Sequence, residues 1–104
     1  MKKTIVVYTN WDSKRKSGGW SATCSGCTKP VSGKLYATTS DKLALTGLIE
    51  GVKEFANDGD NIRLITKNGR VKNAVRHPAN SIHCAMAREF RATIKAAGVH
   101  YTFG

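Results

Sequence analysis

The chain is 104 residues long and carries 17 Lys and Arg against 7 Asp and Glu, a formal net charge of +10. That length suits one domain, residues 1–104, and is enough to bury a core without disulfide staples. A positive field of this size draws nucleic acid, anionic membrane or an acidic protein, and says nothing about fold. No segment approaches the roughly 20 apolar residues of a membrane span. Lys2-Lys3 followed by Ile5-Val6-Val7 is too short an apolar stretch for a secretory signal and no small-residue cleavage site follows it. Three cysteines, Cys24, Cys27 and Cys84, are an odd number that suits a reducing compartment, so the sequence predicts a cytoplasmic protein with no membrane partner.

Residues 3–9, KTIVVYT, are β-branched and aromatic and predict a strand, whose nearly continuous apolar character implies burial on both faces. Residues 18–24, GGWSATC, alternate as a second strand, and residues 33–39, GKLYATT, make a third. The turn chemistry of SGCTKPVSG between them gives an antiparallel meander. The period then becomes helical: Leu45, Leu48, Ile49, Val52, Phe55 and Ala56 form one apolar stripe, with Ser40 or Asp41 as the cap and NDGDN as the stop. IRLIT, residues 62–66, is a strand reached by a parallel crossover.

A brief helix over residues 70–77 is stopped by Pro78. Ser81 caps a final helix with Met86, Phe90, Ile94 and Ala97 inward, Gly98 suits its end, and VHYTF is a fifth strand. The element order is βββαβααβ, an α/β (α+β) fold with helices packed on a five-stranded mixed sheet. Trp20 reads as a core or rim anchor, whereas Trp11 can stack on a base.

Cys24-Ser25-Gly26-Cys27 places a C-x-x-C in a hairpin turn, and His83-Cys84 lies far along the chain. Thiolate and imidazole suit tetrahedral Zn²⁺. Adjacent residues seldom both reach one ion, and the simpler assignment is two reduced turn cysteines with Cys84 as a small core residue.

Four stretches in order resemble ribonuclease H: YTNWDS with GGW after a loop, TTSDKLALTGLIEGVKEF, LITKNGRVKNAV, and REFRATIKAAGVHYTFG. The resemblance covers nearly the whole chain and implies a ribonuclease H-like fold. In that family carboxylates hold a pair of Mg²⁺ ions around the scissile phosphate, because a hard cation prefers anionic oxygen. The resemblance puts Asn10 at the first-strand acid, Ala44 at the first-helix acid and Lys67 at the fourth-strand acid, and the family's fourth acid falls beyond the fifth strand, past Gly104. An ammonium at Lys67 would repel a dication by about 4 kcal/mol per unit charge near ~4 Å in a partly screened site. The implied protein lacks the catalytic acids and needs no cofactor.

Asp12, Asp41 and Glu50 are the available substitute acids, although a loop residue, a cap and a solvated helix-face charge describe them as well. The resemblance implies a pseudoenzyme that binds nucleic acid, an RNA/DNA hybrid or duplex RNA, through the former substrate groove. The residues that would make the contacts are Lys14, Arg15 and Lys16 in the first loop, Thr38, Thr39 and Ser40 before the first helix, and Lys67, Arg70, Lys72 and Arg76 around the second. Two alternatives stay open. One is a small effector, of the kind bacteriophages encode, that grips an acidic protein partner. The other is a Mg²⁺- or Mn²⁺-dependent ribonuclease H with rebuilt acidic ligands.

Overall fold

The computed structural model describes residues 2–26, 29–36, 39–76 and 84–104, without the side chain of Cys84. The N-terminal β-branched run forms β1 (Lys2–Asp12), which turns into β2 (Ser17–Cys24) and then β3 (Val31–Leu35). The apolar stripe folds as α1 (Ser40–Phe55) and returns the chain to β4 (Asn61–Thr66). After these come α2 (Gly69–Arg76), α3 (Cys84–Ala97) and β5 (His100–Phe103). The result is an α+β fold on one mixed sheet ordered β3-β2-β1-β4-β5. The β1, β2 and β3 strands are antiparallel neighbours, while β4 runs parallel to both β1 and β5. Among the described residues no helix is long and apolar enough to cross a membrane.

Cross-strand partners share a face, so register sorts the sheet into two sides. Ile5 and Val7 of β1, Trp20, Ala22 and Cys24 of β2, and Ile62 and Leu64 of β4 are buried on one of them. On this side α1 lies across β1 and β2, and Phe90 of α3 meets Tyr101 edge-on and stacks with Phe103 of β5. Val71 and Val75 of α2 join the same cluster. The opposite side carries no helix among the described residues, so β1 is buried on one face only: Val6 is half-buried and Tyr8 exposed. Its apolar run is therefore not a strand covered on both faces.

Other expectations shift by a few residues. β1 continues past Asn10 through Trp11 to Asp12, each paired with β2, so Asp12 is a strand residue and not a loop residue. β3 spans Val31–Leu35 instead of 33–39 because its pairing with β2 runs from Gly18–Leu35 to Ala22–Val31. Gly33 sits opposite Trp20, and a methyl there would stand 2.8 Å from the indole Nε1, so only glycine lets the strand pass over the ring. Ser81, His77 and Pro78 lie outside the described residues.

The helix α1 is buried well beyond its expected stripe, with Leu43, Ala44, Gly47 and Gly51 covered as well, because it packs against the sheet on one side and α3 on the other. Gly47 rests on Val7 and Trp20, and Gly51 on Ile5 and Ala22. At the far end Lys3 Nζ meets Asp60 Oδ2 at 2.8 Å and donates to the Phe55 carbonyl at 3.0 Å, fastening the end of α1 to the start of β1. The Lys3 hydrogen bond, helped by the Asn57 N–H, holds the Asp60 carboxyl below its ordinary pKa.

In an ordinary helix interior Gly→Ala gains up to about 1 kcal/mol. At Gly47 the new methyl would lie 2.5 Å from Val7 Cγ1, on a stiff β-branched side chain, so the helix must lift. Gly47→Ala is expected to lower the unfolding free energy by about 1–3 kcal/mol in urea denaturation. A gain in stability would mean that α1 stands off the sheet.

Candidate functional site

Because β1 and β4 are parallel and α1 crosses back between them, the carboxyl ends of both strands and the start of α1 meet at one edge of the sheet. Edges of this kind are where open α/β sheets hold ligands. Thr39 begins α1: its backbone is extended and its Oγ1 accepts from the Lys42 N–H at 3.2 Å. Ser40 and Asp41 are already helical, so neither is the cap. Asp41 instead turns inward, 9% exposed, and its Oδ1 accepts from Asn68 Nδ2 at 2.8 Å.

Asn68 works in both directions. Its Oδ1 accepts from the Arg70 N–H at 3.0 Å, which caps α2, while its amide group reaches Asp41 and so joins the starts of the two helices. Its own N–H donates to Thr66 Oγ1 at 3.3 Å. Nothing in the family comparison singled out Asn68, although an Asn just before Gly-Arg-Val is an ordinary helix-start signal.

The three residues that the resemblance sets at acid positions stand in different surroundings. Thr66 stands beside Val7, so Lys67 leaves β4 at the level of Tyr8, exposed. Asn10 is exposed on β1, in a cross-strand row with Gly19 and Lys34 on the helix-free side. Ala44 is 0% exposed, part of the hydrophobic core.

Each substitute acid is engaged. Asp12 Oδ1 accepts from the N–H groups of Lys14 at 2.9 Å and Arg15 at 3.4 Å, and Oδ2 lies 3.9 Å from Arg15 Nε. It orders the basic loop that follows, in which Lys16 takes a left-handed φ of 50°. Glu50 is half-exposed, 3.9 Å from Lys53. Among the described residues, no three His, Cys, Asp or Glu side chains come together to hold a metal ion.

Of the basic residues, Lys14, Arg15 and Lys16 are exposed in the β1–β2 turn, and Arg70 and Arg76 are exposed on α2. β1 outruns β4 by five residues, so the basic turn stands about 17 Å farther out than the end of β4. Lys72 is half-buried, and Arg76 lies about 10 Å along α2 from its start, leading away from the edge. Thr39 and Ser40 sit at the edge itself, and Thr38 lies outside the described residues. Lys34, across β2 in the row of Asn10, is a cation that sequence reasoning did not single out. Cys24 is not in a turn: it ends β2, buried against the core, while Cys27, His83 and the Cys84 side chain fall outside the described residues.

The charge is uneven along the sheet. Glu54, Asp58 and Asp60 gather around the end of α1 and the start of β4, at the opposite edge from Lys14, Arg15, Lys16, Lys34, Lys67 and Arg70. The basic edge holds Asp12 and Asp41, both taken up in the hydrogen bonds above. The chain matches no protein-family model and no curated protein.

Asn68→Asp separates the two tasks of Asn68, since it keeps the acceptor for Arg70 but turns an oxygen toward Asp41. It is expected to cost at least as much as Asn68→Ala, about 1–3 kcal/mol in urea denaturation. An Asp variant as stable as the wild type would contradict the Asp41–Asn68 contact.

Proposed function

We propose that this chain is a ribonuclease H-like protein that binds nucleic acid at the carboxyl edge of β1 and β4 and does not cleave it. The observation that carries the reading is Lys67: an exposed ammonium one residue past β4, where the resemblance expects a metal-binding carboxylate. A cation there meets phosphate directly, without a bridging metal. The surroundings support it, since the nearby carboxylates Asp12 and Asp41 already accept hydrogen bonds and the nearest loop is basic. The succession of strands and helices, with β1 beside β4 and α1 between them, supports the family reading.

The favoured ligand is an RNA/DNA hybrid or duplex RNA, gripped by its backbone. Lys14, Arg15 and Lys16 would hold one stretch of phosphates and Lys67 and Arg70 another, with the Thr39 and Ser40 hydroxyls offering hydrogen bonds to sugar or phosphate oxygens. Such contacts supply affinity with little sequence preference.

Lys67→Glu tests the assignment. Hybrid affinity should fall at least about tenfold at low salt, and the slope of log K against log salt should flatten by about 0.9 for each lost phosphate contact. Unchanged affinity and slope would remove Lys67 from the interface.

A further inference from the structure

The helix-free side of the sheet adjoins the strand-end edge at Asn10 and Lys34, and it has its own chemistry. Tyr8 stands on the central strand, 55% exposed, in a row with Ser21 and Ser32, whose side chains are too short to cover its ring. The next row, Asn10, Gly19 and Lys34, continues the same trough, a depression of about 500 Å³. A second depression of about 460 Å³ opens toward the other end of the sheet beside Lys2, Thr4, Arg63 and Thr102. Lys34 on β3 and Arg63 on β4 mark the ends of a diagonal about 25 Å long, with Tyr8 near its middle.

The charge on this side selects among occupants. Among the described residues, Lys2, Lys34 and Arg63 are exposed cationic side chains of its strands, and the one acidic side chain in those strand rows, Asp12, is turned to its own loop. A second copy of the chain laid face to face would oppose like charges. An acidic polypeptide would answer the cations, but its acidic side chains themselves bring no aromatic face to set on a lone phenol ring. An unpaired nucleobase has one, and its backbone supplies phosphates to either side. A duplex cannot use the ring this way, because its bases are stacked and paired inside.

We propose that the helix-free face binds single-stranded nucleic acid, with a base stacked on Tyr8 and the backbone running between Lys34 and Arg63. The proposal does not rest on the strand-end reading, because Tyr8 and Arg63 carry it and neither belongs to the strand-end cations. The test is a fluorescence-anisotropy titration of the full chain with a labelled oligo-U or oligo-dT of about 12 nucleotides, in the size range that sheet-based single-strand binders cover. Tyr8→Ala should weaken binding about 10-fold while Tyr8→Phe, which keeps the π face, stays near wild type. Lys34→Glu should weaken it as well, and it reads the same face should Tyr8→Ala fold poorly.

Hybrid binding, in contrast, should respond to Lys67→Glu and not to Tyr8→Ala. Single-strand affinity unchanged in both Tyr8→Ala and Lys34→Glu would overturn the proposal. So would a concentration-dependent dimer, seen by sedimentation, that either variant dissolves. Polyglutamate binding that falls as far as strand binding in Tyr8→Ala would give the face to an acidic protein instead.

Discussion

The close seating of α1 on the sheet fixes the geometry of everything else. Two glycines one turn apart, Gly47 and Gly51, bring the helix down onto Val7, Trp20, Ile5 and Ala22. A methyl at either position would sit within 3.1 Å of a neighbour, so the separation is set by backbone and not by side-chain size. Seated at that depth, α1 starts beside the end of β4, near enough for Asp41 to accept from Asn68. The pairing of Lys3 with Asp60 and the Phe55 carbonyl fixes the other end. The strand-end edge is thus held at both ends of one helix.

Two surfaces follow from that arrangement. With the helices gathered on one side, the most hydrophobic rows of the strands turn inward, and the outward rows carry hydroxyls, Tyr8, the half-buried Val6 and Ile65, and scattered cations. The strand-end edge is different in kind: its carboxylates Asp12 and Asp41 accept from the β1–β2 turn and from Asn68, and among the described residues the cations there outnumber them. Electrostatics of this sort raises encounter rates with a polyanion and is sensitive to salt. In the proposed reading, the edge meets the backbone of a paired substrate and the sheet face meets unpaired bases. In that reading Asn10, Ala44 and Lys67 stand where the resemblance expects carboxylates, which takes away the means of cleavage and, at Lys67, adds a means of attachment.

Much of the fold was legible because the signals are local. The apolar stripe of α1, the turn at Gly98 with its φ of 68°, and the inward Phe90 and Ile94 of α3 all stand where periodicity put them. Trp20 is buried, as a strand anchor should be. What escaped depends on contacts between distant segments. Gly47 and Gly51 are unremarkable within a helix until β1 and β2 lie beneath them. The early start of β3 follows from its pairing with β2, in which Trp20 passes under Gly33, thirteen residues away. The run Ile5-Val6-Val7-Tyr8 reads as doubly buried by composition, but one face is bare because no described helix reaches it. At the candidate site the cations were legible as residues and Asn68 as a helix-start signal, whereas the Asp41–Asn68 link and the place of Lys34 depend on contacts across the edge and across the sheet.

The most direct test of the central claim is a titration of the full wild-type chain against a labelled RNA/DNA hybrid at two salt concentrations. Mg²⁺ or Mn²⁺ is present, and the strands are run on a denaturing gel afterwards. The account predicts binding that weakens steeply with salt and strands that remain whole. Absence of binding at physiological salt, or strands cut in a metal-dependent way, would contradict it.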